Sequence, residues 1–137
     1  MMGVYSALEG EFDFEIVEEF LSHFTMMTES MENLIVGLSQ KERYVANINQ
    51  LFRIFHNIKS ATGYLKISQI NKLVTLAEEL LEECRLVEGV GSDELIAWLI
   101  LVSDQLASYR EDLEEDAEEF CKFNHLLIKV PSKFIRD

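Results

Sequence analysis

At 137 residues with 48% hydrophobic content, the chain is long enough for one packed core and too apolar for simple disorder. Its net charge of −13 argues against nucleic-acid binding, since nothing would neutralise phosphates along a duplex. No apolar run reaches the ~18 residues of a membrane span, and the opening "MMGVYSALEGEF" lacks a basic flank and an apolar signal core, which points to the cytoplasm.

A single proline and six glycines leave long uninterrupted runs, the composition of a helical protein. After a lead-in over residues 1–12, helical spacing starts near Asp13. It carries Ile16, Phe20, Phe24, Met27, Met31, Leu34 and Leu38, a Met and Phe stripe that reads as core. "GLSQKE" reads as a turn. A second helix is predicted from about Val45 to Tyr64, with Leu51, Phe55, Ile58, Thr62 and Leu65 on one face. "YLKIS" breaks it, and Ser68 is the predicted N-cap of a third helix carrying Leu73, Ala77, Leu80, Cys84 and Val87 to about Glu88. "GVGSDE" ends in a Ser92 cap, with Asp93 and Glu94 suited to the dipole of the first turn. The fourth helix holds Leu95, Trp98, Leu99, Val102, Leu106, Tyr109 and Leu113. A weaker fifth helix is expected through Ala117, Phe120, Cys121 and Asn124, before "IKVPSKFIRD" as a tail or linker. Short loops between amphipathic helices predict an all-α, antiparallel up-down four-helix bundle over residues 13–115, with the short extra helix and tail over 116–137.

Cys84 and Cys121 lack CxxC spacing and read as reduced thiols. His23, His56 and His125 fall on three separate elements without ligand spacing, so metal binding is the weakest of the functional readings and no metal site is predicted.

His56 carries more information. With Leu51, Phe55, Ile58 and Thr62 facing inward, it lies roughly 140° from the centre of the buried face, on a surface shared with Asn49, Arg53, Ser60 and Gly63. Small residues at Ser60 and Gly63 leave the imidazole clear of its own helix. Glycine inside a helix costs roughly 1 kcal/mol against alanine, so Gly63 marks fraying or clears space. On the next helix, Glu78 takes the same angular offset. The two residues also lie equally far from the turn near Ile67, so antiparallel neighbours bring them level. A carboxylate there accepts a hydrogen bond from one ring nitrogen, fixes the tautomer and leaves the other nitrogen free as a nucleophile. An ordinary surface pair between helices is the alternative reading of the same spacing.

Charge adds to this. Residues 43–77 contain no Asp or Glu, but hold Arg43, Arg53, Lys59, Lys66 and Lys72. That region carries +5 and the remainder −18. A positive field around an exposed histidine suits an anionic group on the ring or an acidic partner over it. The acidic run "REDLEEDAEEF" reads as a solvated helix end.

At "IFHNIKSATGYLKI", followed by "LVTLAEELLEECR", the chain resembles the histidine phosphotransfer (HPt) family. Within it, the chain looks most like the N-terminal phosphotransfer domain of CheA-type chemotaxis histidine kinases, from about Asp13 to Asp112. The resemblance implies that His56 accepts phosphate, that Lys59 holds phosphoryl oxygens or tunes the ring, and that Glu78 bonds the non-phosphorylated nitrogen. Gly63 matches a small residue near the site, and Arg53, Ser60, Gly63 and Lys66 form the partner-docking surface. It also implies a phosphocarrier in two-component signalling, supplied by a histidine kinase ATP-binding domain or a phosphorylated receiver, and discharged to a response-regulator receiver aspartate. The family usually has glycine at the position of Ser60, many members have a second glycine at that of Lys66, and the chemotaxis-kinase version often has histidine at that of Thr75. The chain has no glycine-rich phosphate loop and no metal cluster. It is therefore expected to bind no cofactor and to be no enzyme by itself, with ATP and magnesium held only by partner domains. A helical adaptor that shares the fold but carries no phosphate is the competing reading.

Overall fold

The computed structural model describes residues 2–137. It contains five α-helices: α1 (Val4–Glu11), α2 (Phe14–Val36), α3 (Lys41–Tyr64), α4 (Ser68–Cys84) and α5 (Asp93–Glu114). Short 3-10 turns occupy Gly37–Ser39 and His125–Ile128. Among the described residues the only β pairing is an isolated bridge between Gly91 and Ile135, and no helix is long and apolar enough to cross a membrane.

The second helix buries Val17, Phe20, Phe24, Thr28, Met31 and Ile35. This stripe is turned about one residue from the predicted one. Ile16 is 39% exposed, and Met27 and Leu34 lie at the margin of the core. Its sequence is apolar on both flanks of the true stripe, so periodicity alone leaves the phase open. Packing against both α3 and α5 sets it.

The third helix begins at Lys41, several residues before the predicted start near Val45. It follows directly on the 3-10 turn, and the Asn47 amide donates to the Leu34 carbonyl at 3.0 Å, satisfying an acceptor in the last turn of α2. At its other end Lys66 takes φ 58°. The Ile67 N–H reaches the Thr62 carbonyl at 2.9 Å and the Lys66 N–H reaches Gly63 at 3.3 Å, the two bonds of a Schellman stop.

Ile67, not Ser68, occupies the N-cap position of α4, and no side chain caps it. Ser68 is already helical, and its hydroxyl contacts Gln69 instead. This helix ends at Cys84, so Val87 is 42% exposed and not core. The Tyr44 hydroxyl donates to the Cys84 carbonyl at 2.9 Å and closes that end. Ser92 caps α5 as predicted, its hydroxyl accepting from the Leu95 N–H at 3.0 Å. Every apolar residue predicted for that helix is buried. Burial of each large aliphatic or aromatic side chain contributes roughly 1.5–3 kcal/mol.

The helix expected through Ala117–Asn124 is not formed. Asp116 stops α5 at φ 51°. The Cys121 N–H then donates to the Asp112 carboxylate, and Gln105 holds both the Lys122 carbonyl and the Asn124 N–H. Side chains of α5 thus take the place of helical i→i+4 bonds. The rest of the tail runs back along α5. Trp98 donates to the Leu127 carbonyl at 3.1 Å, Leu127 is fully buried, and the Ser92 hydroxyl donates to the Lys133 carbonyl.

The lead-in is itself helical. Its N-terminal Tyr5 and Ser6 N–H groups donate to the Asp116 carboxylate at 3.0 and 2.9 Å, the Ser6 hydroxyl also bonds Asp116, and the Val4 N–H donates to the Ala117 carbonyl. These bonds hold the Asp116 carboxyl below its ordinary value.

Candidate functional site

Residues Phe55 and Ile58 are fully buried on α3, and Ala77 is fully buried on α4. Anchoring those faces turns the neighbouring positions, His56, Lys59 and Glu78, into the groove between the two helices. Register is fixed nearby: the Asn71 amide of α4 donates to the Lys59 carbonyl at 2.9 Å and to the Thr62 hydroxyl at 3.3 Å. Thr62, itself buried, donates to the Ile58 carbonyl at 2.7 Å. Sequence reading missed Asn71. Its position opposite the end of α3 was the available signal.

His56 Nδ1 lies 3.2 Å from Glu78 Oε2, and Lys59 Nζ lies 3.3 Å from Glu78 Oε1. One carboxylate therefore accepts from both the ring and the ammonium. Glu78 is largely covered, with 14% of its side chain exposed, while His56 is 57% exposed and Lys59 41%. With Nδ1–H held by Glu78, the lone pair is on Nε2, which has no hydrogen-bond partner among the described residues.

The other predicted site residues are placed differently. Arg53 is exposed beside Ser30, Asn33 and Leu34, on the α2 side of α3 and away from Glu78. Ser60 and Gly63 are exposed beyond His56. A Cβ on Gly63 would meet only the Asn71 amide, at an ordinary 3.6 Å, so sterics do not demand glycine there. Lys66 sits about 15 Å along the helix axis from His56, and its ammonium pairs with Glu11 of α1 at 3.5 Å. The φ of 58° at Lys66 explains why glycine suits this position: a left-handed residue is cheapest without a Cβ.

His23, His56 and His125 fall on α2, α3 and the tail, and among the described residues no group of three or more His, Cys, Asp or Glu is placed to hold a metal. The Cys84 thiol is buried and pushed up to about 12, chiefly by desolvation, which makes it inert at neutral pH.

An exposed imidazole with a fixed tautomer, a covered carboxylate behind it and a cation one turn away can act as a nucleophile toward an electrophilic, anionic group. The family model for the Hpt domain matches residues 15–116, which include all three groups. No solved structure matches the chain.

Proposed function

The chain belongs to the Hpt domain family, whose members are phosphocarriers of histidine phosphotransfer in two-component signalling and work with kinase and receiver domains, and we propose that this one carries its phosphoryl group on His56. The observation that supports this reading best is the 3.2 Å contact between His56 Nδ1 and Glu78 on an otherwise open ring.

In the proposed step, the Nε2 lone pair forms an N–P bond in line with the breaking bond from phosphorus to the donor oxygen, which leaves with its electron pair. The proton on Nδ1 stays in its bond to Glu78 and balances the charge that develops on the ring. Lys59, already beside the site, lies within reach of the phosphoryl oxygens. In discharge, a receiver aspartate oxygen forms the new O–P bond and the N–P electron pair returns to Nε2. Magnesium and ATP belong to the partner domains in this reading, and this chain binds neither.

The proposal extends to details. The phosphotransfer unit is residues 13–115, with 1–12 as lead-in and 116–137 as a short helical turn and tail. Its four long helices run up-down-up-down and antiparallel. Contacts between Tyr44 and Cys84, Lys59 and Asn71, Asn47 and Leu34, and Arg110 and Thr28 fit that order. The nearest type is the phosphotransfer domain of CheA-type chemotaxis kinases, acting in the cytoplasm. Arg53, Ser60, Gly63 and Lys66 contribute the docking surface, complementing an acidic partner pocket.

The test is incubation with an active cognate kinase and labelled ATP. Acid-labile, base-stable label is expected on the wild type and absent from His56→Gln; label persisting in that variant would sink the proposal. Failure of several kinases and small phosphodonors to label His56 would favour the adaptor reading, which rests on Ser60 and Lys66 standing where the family has glycine.

A further inference from the structure

The histidine does not stand alone on α3. One turn earlier, the half-buried Phe52 ring lies nearly parallel to the imidazole, with centroids 6.2 Å apart and planes 13° from parallel. On the far side of the groove, Arg85 reaches back from the end of α4. Its guanidinium carbon sits 4.4 Å from the Phe52 centroid, within cation–π range. The same guanidinium holds the Glu82 carboxylate at 3.7 Å. Glu82 is one turn beyond Glu78, so the two helices carry facing ladders: Lys59, His56 and Phe52 on α3, and Glu78, Glu82 and Arg85 on and just beyond α4.

We propose that Phe52 and Arg85 are positioning residues for His56, fixing the plane of the imidazole so that Nδ1 meets Glu78 and Nε2 faces the donor. The reasoning rests on the phosphocarrier reading for its consequence, and on geometry alone for the positioning. Glu78 fixes one atom of the ring but leaves rotation about the side-chain torsions. A broad torsion at the ring needs a second constraint, and the Phe52 face supplies it. Phe52 could swing in turn, but the Arg85 guanidinium lies over its ring and pairs with Glu82 at 3.7 Å. Direct action of the Arg85 charge on the ring is the weaker explanation. Steps of 4.4 and 6.2 Å separate the two groups, a reach comparable to the ~10 Å Debye length near 0.1 M salt, and His56 and Arg85 are both open to water.

The experiment compares the full chain with Phe52→Leu, Phe52→Tyr, Arg85→Ala and Arg85→Lys. Long-range 1H–15N correlation reads the His56 tautomer, and phosphoramidate, a small phosphodonor, reads the phosphorylation rate without a partner protein. Thermal melts monitor the fold; Phe52→Leu keeps most of the packed volume and Arg85 is on the surface. Phe52→Leu and Arg85→Ala are expected to lower the Nδ1–H fraction and slow labelling about three- to ten-fold. Phe52→Tyr restores both and Arg85→Lys restores them in part. An unchanged tautomer in both Phe52→Leu and Arg85→Ala overturns the proposal. If the wild type takes no phosphoryl group while the tautomer shifts in the variants, the positioning stands and the carrier reading fails.

Discussion

Replacing Glu78 separates orientation from charge. Its carboxylate lies 3.2 Å from the imidazole and 3.3 Å from the Lys59 ammonium. Positive charge developing on the ring in the proposed phosphoryl transfer, about 4 Å from a unit negative charge, is worth roughly 1 kcal/mol in water and about 4 kcal/mol at an effective dielectric of 20. His56 is more than half exposed and Lys59 already offsets part of the carboxylate. The operative value is therefore near the lower end, about 1–2 kcal/mol. That corresponds to about five- to thirty-fold in rate. Glu78→Ala removes both the charge and the acceptor and should show the whole loss. Glu78→Gln keeps an acceptor for Nδ1–H but no charge, and a neutral hydrogen bond is roughly half as strong; it should fall about midway. Stability should change modestly: Glu78 is itself largely covered, but its partners His56 and Lys59 are open to water and stay solvated once it is gone. The assay is the initial rate of His56 labelling, from a cognate kinase or phosphoramidate, with thermal melts alongside. Glu78→Ala labelling within twofold of wild type, with the fold intact, would refute the role given to this carboxylate.

Three further outcomes can be checked on the unmodified protein and simple variants. Lys66→Gly should stabilise the chain by about 0.5 kcal/mol in denaturant titration, because relief of the left-handed backbone outweighs the added unfolded-state entropy and the lost Glu11 pair; Lys66→Val should instead destabilise it, because a β-branched residue fits positive φ worse than lysine does. The Asp116 carboxyl sits below its ordinary 3.8 because Ser6 and then Tyr5 donate to it. Its support of α1 is thus complete above that value and lost as pH falls through the lower folded value, so exchange of the Tyr5 and Ser6 amides should accelerate only in that acid range, and Asp116→Asn should abolish the dependence. A thiol reagent should modify Cys121 in the native chain, more slowly at neutral pH than a free cysteine since burial and Asp112 raise its thiol, while Cys84 should react only on unfolding.

Local signals proved readable where they decided the structure. The Ser92 cap and the apolar spacing from Leu95 to Leu113 are contained within α5, and both appear there. The approach of His56 to Glu78 also followed from helical geometry, since both offset and height are set by rise and rotation from a single turn. The phase of α2 was misread because its two apolar flanks differ by one residue, and only its neighbours choose between Ile16 and Val17. The tail was misread for a longer-range reason. Ala117–Asn124 has helical spacing, but Asp112 and Gln105 compete successfully for its backbone groups. Helix α1 depends on Asp116, 110 residues after Ser6, a partner that no window along the chain contains. Phe52 and Arg85 escaped notice because a cation from beyond the end of α4 covers a ring on α3.

The bridge from Ile135 to Gly91 sets a tether length. Gly91 donates to the Leu38 carbonyl at 2.7 Å, which places the final residues at the end of the bundle where α3 begins. His56 is fifteen residues into that helix from Lys41, about 22 Å away along the axis. An extended segment following Asp137 needs at least about seven residues to reach the imidazole of its own chain. A short peptide attached after Asp137 with fewer residues than that stays clear of the ring.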